Sequence, residues 1–185
     1  MPRAWHGRHH GKRMLPIDKL GAALSGLALV AALGAPAHAQ PPNAISPAKE
    51  LAAIKQASLL DDDPADAVAV QQVCTACHAA SQFLGTPRSS TRWEQVFGQM
   101  TRFGANPTDE QVDRIVRYFQ RNLMVVNVNT SPYEELGPTL QTSPAVTTAI
   151  VMRRAQSKFR NIDDLAGIPG VDRSVLELLK DRLQF

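Results

Sequence analysis

The chain has 185 residues with 20 Lys+Arg against 17 Asp+Glu, a formal charge of +3, enough for one or two domains. The basic excess lies wholly in the first 39 residues, where Arg3, Arg8, Lys12, Arg13 and Lys19 outnumber Asp18; the remainder is net −1. Broad phosphate neutralisation needs clustered surplus cations, so this balance argues against a general nucleic-acid binder.

After the cationic stretch come sixteen uncharged, mostly apolar residues from Leu20 to Ala35. Ala37-His38-Ala39 then offers small residues at the two positions a signal peptidase reads. Residues 1–39 therefore read as an export signal cleaved after Ala39, and the expected destination is the periplasm of a Gram-negative bacterium. A bilayer-spanning helix needs about 20 apolar residues, so a retained anchor is the weaker reading and no span is expected after cleavage. Cleavage also removes His6, His9, His10 and His38, which leaves His78 as the one histidine.

Residues 40–65 form an N-terminal extension, with a short helix expected from Pro47 to Ala57. Asp61-Asp62-Asp63-Pro64 is an acidic turn that lacks the alternating ligand spacing of calcium loops. A helix then leads into Cys74-Thr75-Ala76-Cys77-His78, which holds the only two cysteines of the chain. The C-x-x-C-H spacing is that of c-type haem attachment: each thiol adds to a porphyrin vinyl group, and the adjacent imidazole ligates iron. A chance match in a chain of this length occurs on the order of once in a thousand sequences. Structural zinc takes four Cys or His ligands, and only three remain after cleavage. A thioredoxin-type dithiol belongs in a strand-helix-strand setting, whereas this stretch looks helical. A disulfide between Cys74 and Cys77 would close too small a loop to add much stability.

With one histidine, bis-histidine ligation within the chain is impossible, and a methionine thioether is the expected sixth ligand. Thr91 and Glu94 have capping-box spacing, and Trp93, Val96, Phe97 and Met100 follow on one helical stripe. Met100 is the favoured ligand, Met124 the second choice and Met152 a poor third. Thr108 with Gln111 opens the next helix, whose apolar face is Val112, Ile115, Val116 and Phe119. That face should pack across the helix before Cys74, on Ala67, Val70 and Val73.

Cys74-x-x-Cys-His, Trp93-x-x-Val96-x-x-x-Met100, Phe103-Gly104-Ala105, Asp109-Glu110 and Ile115-Val116-x-Tyr118-Phe119 together resemble a family of short monohaem cytochromes. That family includes the cytochrome subunit of bacterial sulfite dehydrogenases and haem domains attached to quinoprotein dehydrogenases. The resemblance covers roughly residues 66–123. It implies an axial pair of His78 and Met100 and transfer of single electrons; with one covalent haem c expected on Cys74 and Cys77, Trp93 on the Met100 stripe should lie against the cofactor. Ala67 stands where many such proteins have a glycine. So short a unit buries little apolar surface, and its core would be completed by the cofactor.

Residues 124–130 read as a linker, with Leu123 to Val128 extended. Residues 131–185 form a second unit: a helix capped by Ser131 with Pro132 at its first position, a second from Ser143-Pro144 to Arg154, a short one from Asn161 to Leu165, and a last from Asp172 to Leu183. The hairpin Leu165-Ala-Gly-Ile168-Pro169-Gly170-Val171, headed at a distance by Val128-Asn129-Thr130, resembles the tandem helix-hairpin-helix unit of DNA-uptake competence proteins. The counterpart at Leu140 to Pro144 has no glycine. In that motif backbone amides at a helix start hold phosphate. Here Asp172 should cap those amides and repel phosphate, and Arg153, Arg154, Lys158 and Arg160 are balanced by anions within the unit.

The expectation is an all-α protein, a small cytochrome c domain followed by a tandem helix-hairpin-helix domain. It would carry electrons between a dehydrogenase and a downstream cytochrome or oxidase, with the second unit docking protein. No constellation for substrate turnover stands out, so an electron carrier is favoured over an enzyme. A haem-containing DNA-binding or DNA-uptake protein is the alternative, and a gas or redox sensor with a loosely held sixth ligand is a third possibility.

Overall fold

The computed structural model describes residues 46–59 and 63–185, all within one compact unit. The expected export signal, its expected cleavage point and two of the four residues of the acidic turn, Asp61 and Asp62, lie outside the described residues. Among them the fold is mainly helical, as expected for an all-α chain, and none of the helices is long and apolar enough to cross a membrane.

Helix α1 (Pro47–Gln56) starts on a proline, whose missing N–H costs nothing at a helix start. Helix α2 (Pro64–Cys74) follows, capped by Asp63, whose Oδ1 accepts the Ala65 N–H. Helix α3 spans Ser90–Arg102 and α4 spans Asp109–Asn122. The capping box of Thr108 and Gln111 closes in both directions. Helix α4 crosses α2, burying Ile115, Tyr118 and Phe119 against Ala67, Ala69 and Val70. The buried face thus takes in Tyr118, whose hydroxyl donates to the Ile54 carbonyl on α1, while Val112 and Val116 are half-buried. Asp66, fully buried on α2, accepts from Arg117 Nε at 3.1 Å and Nη2 at 2.8 Å on α4, with Arg114 3.6 Å away. This clamp fixes the α2–α4 register.

Strand β1 (Val126–Asn127) pairs in parallel with β2 (Leu183–Gln184) at the chain's end. Between them lie α5 (Tyr133–Leu140), α6 (Pro144–Gln156), α7 (Ile162–Ala166) and α8 (Arg173–Leu178). Ser143, Asn161 and Asp172 cap α6, α7 and α8 with their side chains.

Three boundaries depart from the sequence reading. Helix α3 is capped by Ser89, not Thr91: Arg88 is held by its N–H to the Leu123 carbonyl and its carbonyl to the Val125 N–H, so the helix begins directly after it. At α5 the cap position is Pro132, because the Ser131 hydroxyl is taken up by the Asn127 N–H. Helix α8 stops at Leu178; a short 3-10 turn over Lys180–Arg182 delivers the last residues to β1 instead of continuing to Leu183.

Candidate cofactor site

The end of α2, the loop after it, α3 and α4 enclose an apolar cavity of about 370 Å³. That volume is in the range of cofactor and small-molecule sites, roughly 300–1,000 Å³. All five residues singled out in the sequence line it: Cys74, Cys77, His78, Trp93 and Met100. Met124 is instead fully buried elsewhere in the core, and Met152 is 61% exposed on α6.

Cys74 is the last residue of α2, half-buried, and Cys77 is exposed one turn on; the two are not disulfide-bonded. Burial pushes the Cys74 thiol up to about 12, so at neutral pH it is protonated. Thr75 closes the helix by donating its hydroxyl to the Gln71 carbonyl at 2.6 Å. His78 follows, its Nδ1 3.2 Å from the Ala79 carbonyl oxygen. A carbonyl can only accept, so Nδ1 is the donor in this contact, and in the neutral ring the lone pair is then on Nε2.

The floor is aromatic. Phe119 meets Trp93 edge-on at 4.7 Å and Phe97 at 5.0 Å, and stacks with Phe83 at 5.8 Å. Trp93 is held by its indole N–H, which donates to the Leu123 carbonyl at 2.9 Å. These rings form a rigid wall whose rotamers are set by packing and not by the occupant. At the rim Phe103 is 80% exposed, although it borders the cavity. Arg88, stacked 5.0 Å above the Trp93 ring, is among the described residues the one lining residue with a permanent charge.

Among the described residues no three His, Cys, Asp or Glu side chains gather as ligands for a bare metal ion. The donor set suits a flat organic metal complex better. Two thiols and an imidazole lie on one short segment, and a thioether stands on another helix, all bordering an apolar cavity. The residues present thus fit a covalent haem. Phe83 and Arg88 were not singled out from the sequence. Phe83 had a readable signal, an aromatic residue five positions after His78; Arg88 had none.

In the C-terminal unit, three of the four clustered cations are engaged internally. Arg154 donates to the Val128 and Ser131 carbonyls, Arg160 pairs with Asp164, and Arg153 donates to the Ser157 carbonyl. Asp172 accepts the Ser174 N–H at 2.8 Å, so its carboxylate occupies the start of α8.

No protein-family model, no curated protein and no solved structure matches the chain.

Proposed function

We propose that the protein is an exported monohaem c-type cytochrome that passes single electrons between redox proteins. The carrying observation is that Cys74, Cys77, His78 and Met100 border one apolar cavity. When bound, the haem iron supplies a reversible one-electron couple. The chain's own residues do the rest. Cys74 and Cys77 tether the group, His78 offers an imidazole nitrogen, Met100 offers a soft thioether, and the aromatic floor excludes water. Half-buried Arg88 and the exposed Phe103 mark where the cavity opens toward a partner, a dehydrogenase on one side of the transfer and a cytochrome or oxidase on the other.

The C-terminal unit resembles a helix-hairpin-helix fold, and its role in this reading is protein docking. The internal engagement of Arg153, Arg154 and Arg160 and the capping carboxylate of Asp172 support docking over DNA binding. Steep, salt-dependent affinity for duplex DNA would reverse that choice.

The test is export of the full chain in a host competent for covalent haem attachment. The expected product keeps its haem through denaturation, loses it when both Cys74 and Cys77 are replaced by serine, and shows a thioether charge-transfer absorption that Met100→Leu abolishes. Colourless protein with both thiols open to alkylation would refute the reading.

A further inference from the structure

Glu50, on α1, is only 9% exposed and has no cation partner among the described residues. A buried carboxylate is costly unless hydrogen-bonded, so its single contact calls for an explanation. Its Oε2 accepts the Ala80 N–H at 2.6 Å. That N–H belongs to the same peptide group as the Ala79 carbonyl, which accepts from His78 Nδ1. A carboxylate, one peptide plane and the imidazole therefore stand in series, linking α1 to the candidate haem ligand. Ala80 is itself fully buried, and Phe83 meets the His78 ring edge-on at 6.1 Å, so both ends of the series are confined.

Hydrogen-bonded groups in series polarise one another in a low-dielectric interior. Negative charge on Glu50 draws the Ala80 proton, raises electron density on the Ala79 oxygen and strengthens its pull on the Nδ1 proton. Partners behind a ligating histidine fix its ring and raise its basicity in just this way. We propose that Glu50 is a positioning residue: through the Ala79–Ala80 peptide its carboxylate sets the His78 ring and raises the donor strength of Nε2, lowering the reduction potential. This rests on the haem reading above.

The experiment uses the exported holoprotein, the variant Glu50→Gln and the control Glu110→Gln. Glutamine keeps an acceptor for the Ala80 N–H and removes only the charge; Glu110, exposed on α4, loses the same charge away from the cavity. Spectroelectrochemical titration should find Glu50→Gln favouring the ferrous form about threefold, roughly 28 mV upward for a one-electron couple. Glu110→Gln should move it by less than a third of that. In the unaltered protein the Ala80 amide should exchange far more slowly than that of exposed Ser81. An unchanged or lowered potential in Glu50→Gln, or equal exchange at Ala80 and Ser81, overturns the inference. Absence of haem from the unaltered protein refutes the haem reading instead, a result distinct from a haem-loaded protein whose potential ignores Glu50.

Discussion

Replacing Arg182 by methionine tests how the chain's end is joined to α4. Arg182 is 3% exposed, and its guanidinium donates to two carbonyls in the last turn of that helix, Gln120 at 3.3 Å and Arg121 at 2.6 Å, and to the Met124 carbonyl just beyond it at 3.0 Å. The last carbonyls of a helix have no partner within it, and a cation there also complements the negative end of the helix dipole. Methionine fills much of the same volume, so the loss is chiefly polar. Hydrogen bonds to charged groups contribute about 1.5–3 kcal/mol each but are not additive, so loss of one donor shared by three carbonyls should cost about 3–5 kcal/mol. For a unit of this size that corresponds to a fall in Tm of about 10–20 °C. Arg182→Lys keeps the charge but not the planar fork, and should recover less than half of the loss. Arg173→Gln, at an exposed pairing with Asp163, should cost less than about 1 kcal/mol. Thermal unfolding followed by far-ultraviolet circular dichroism on all three variants decides the matter. If Arg182→Met unfolds within about 1 kcal/mol of the parent, the argument that this guanidinium closes α4 is refuted.

Gly170 lies at φ +88°, and a Cβ there would stand 2.7 Å from Val146 Cγ2, so Gly170→Ala should cost about 2–4 kcal/mol in a urea titration. The Thr139 hydroxyl is fully buried without a partner among the described residues; the isosteric Thr139→Val should raise stability by about 1 kcal/mol, read from the shift in urea midpoint. The Arg160 guanidinium, with the Arg160 backbone N–H, holds the Asp164 carboxyl down to about 2 from an ordinary 3.8. Because the folded-state value is depressed, the pair's contribution is complete above the ordinary value and lost as pH falls toward 2. Arg160→Gln should therefore flatten the acid-side decline of stability between pH 3.8 and about 2, seen as urea midpoints that change less with pH than the parent's.

What was legible in the sequence was local. Cys74, Cys77 and His78 announce themselves by spacing, and the Trp93 to Met100 stripe by helical period. The reciprocal cap of Thr108 and Gln111 needs only four residues to be recognised. What was hidden depends on partners far along the chain. Ser89, Ser90 and Thr91 are three successive residues able to cap α3, and the choice among them is made by Arg88 pairing with Leu123 and Val125. The early end of α8 follows from β1, some 57 residues earlier, capturing Leu183 and Gln184. Glu50 sat on a helix read correctly within a residue, yet nothing near it hints that its carboxylate reaches Ala80, 30 residues on. Nothing near Arg182 in the sequence points to its partners, the Gln120, Arg121 and Met124 carbonyls some 58 to 62 residues earlier.

The segment from Leu123 to Asn127 joins these observations. Expected as a connector, from Met124 onward it alternates fully buried Met124, Val126 and the following Val128 with half-buried Val125 and Asn127, the period-two pattern of a strand. On one side the Leu123 carbonyl accepts both the Arg88 N–H and the Trp93 indole, which fixes the back wall of the cavity. On the other, Val126 and Asn127 pair with Leu183 and Gln184, and Arg182 reaches the Met124 carbonyl. Five residues thus take hydrogen bonds from the cavity wall and from the chain's end together. A flexible tether would leave the C-terminal unit free to dock without consequence for the cavity. Here the strand that pairs with β2 follows directly on Leu123, whose carbonyl holds the Trp93 indole, so displacement of β2 would bear on a hydrogen bond of the cavity's aromatic floor.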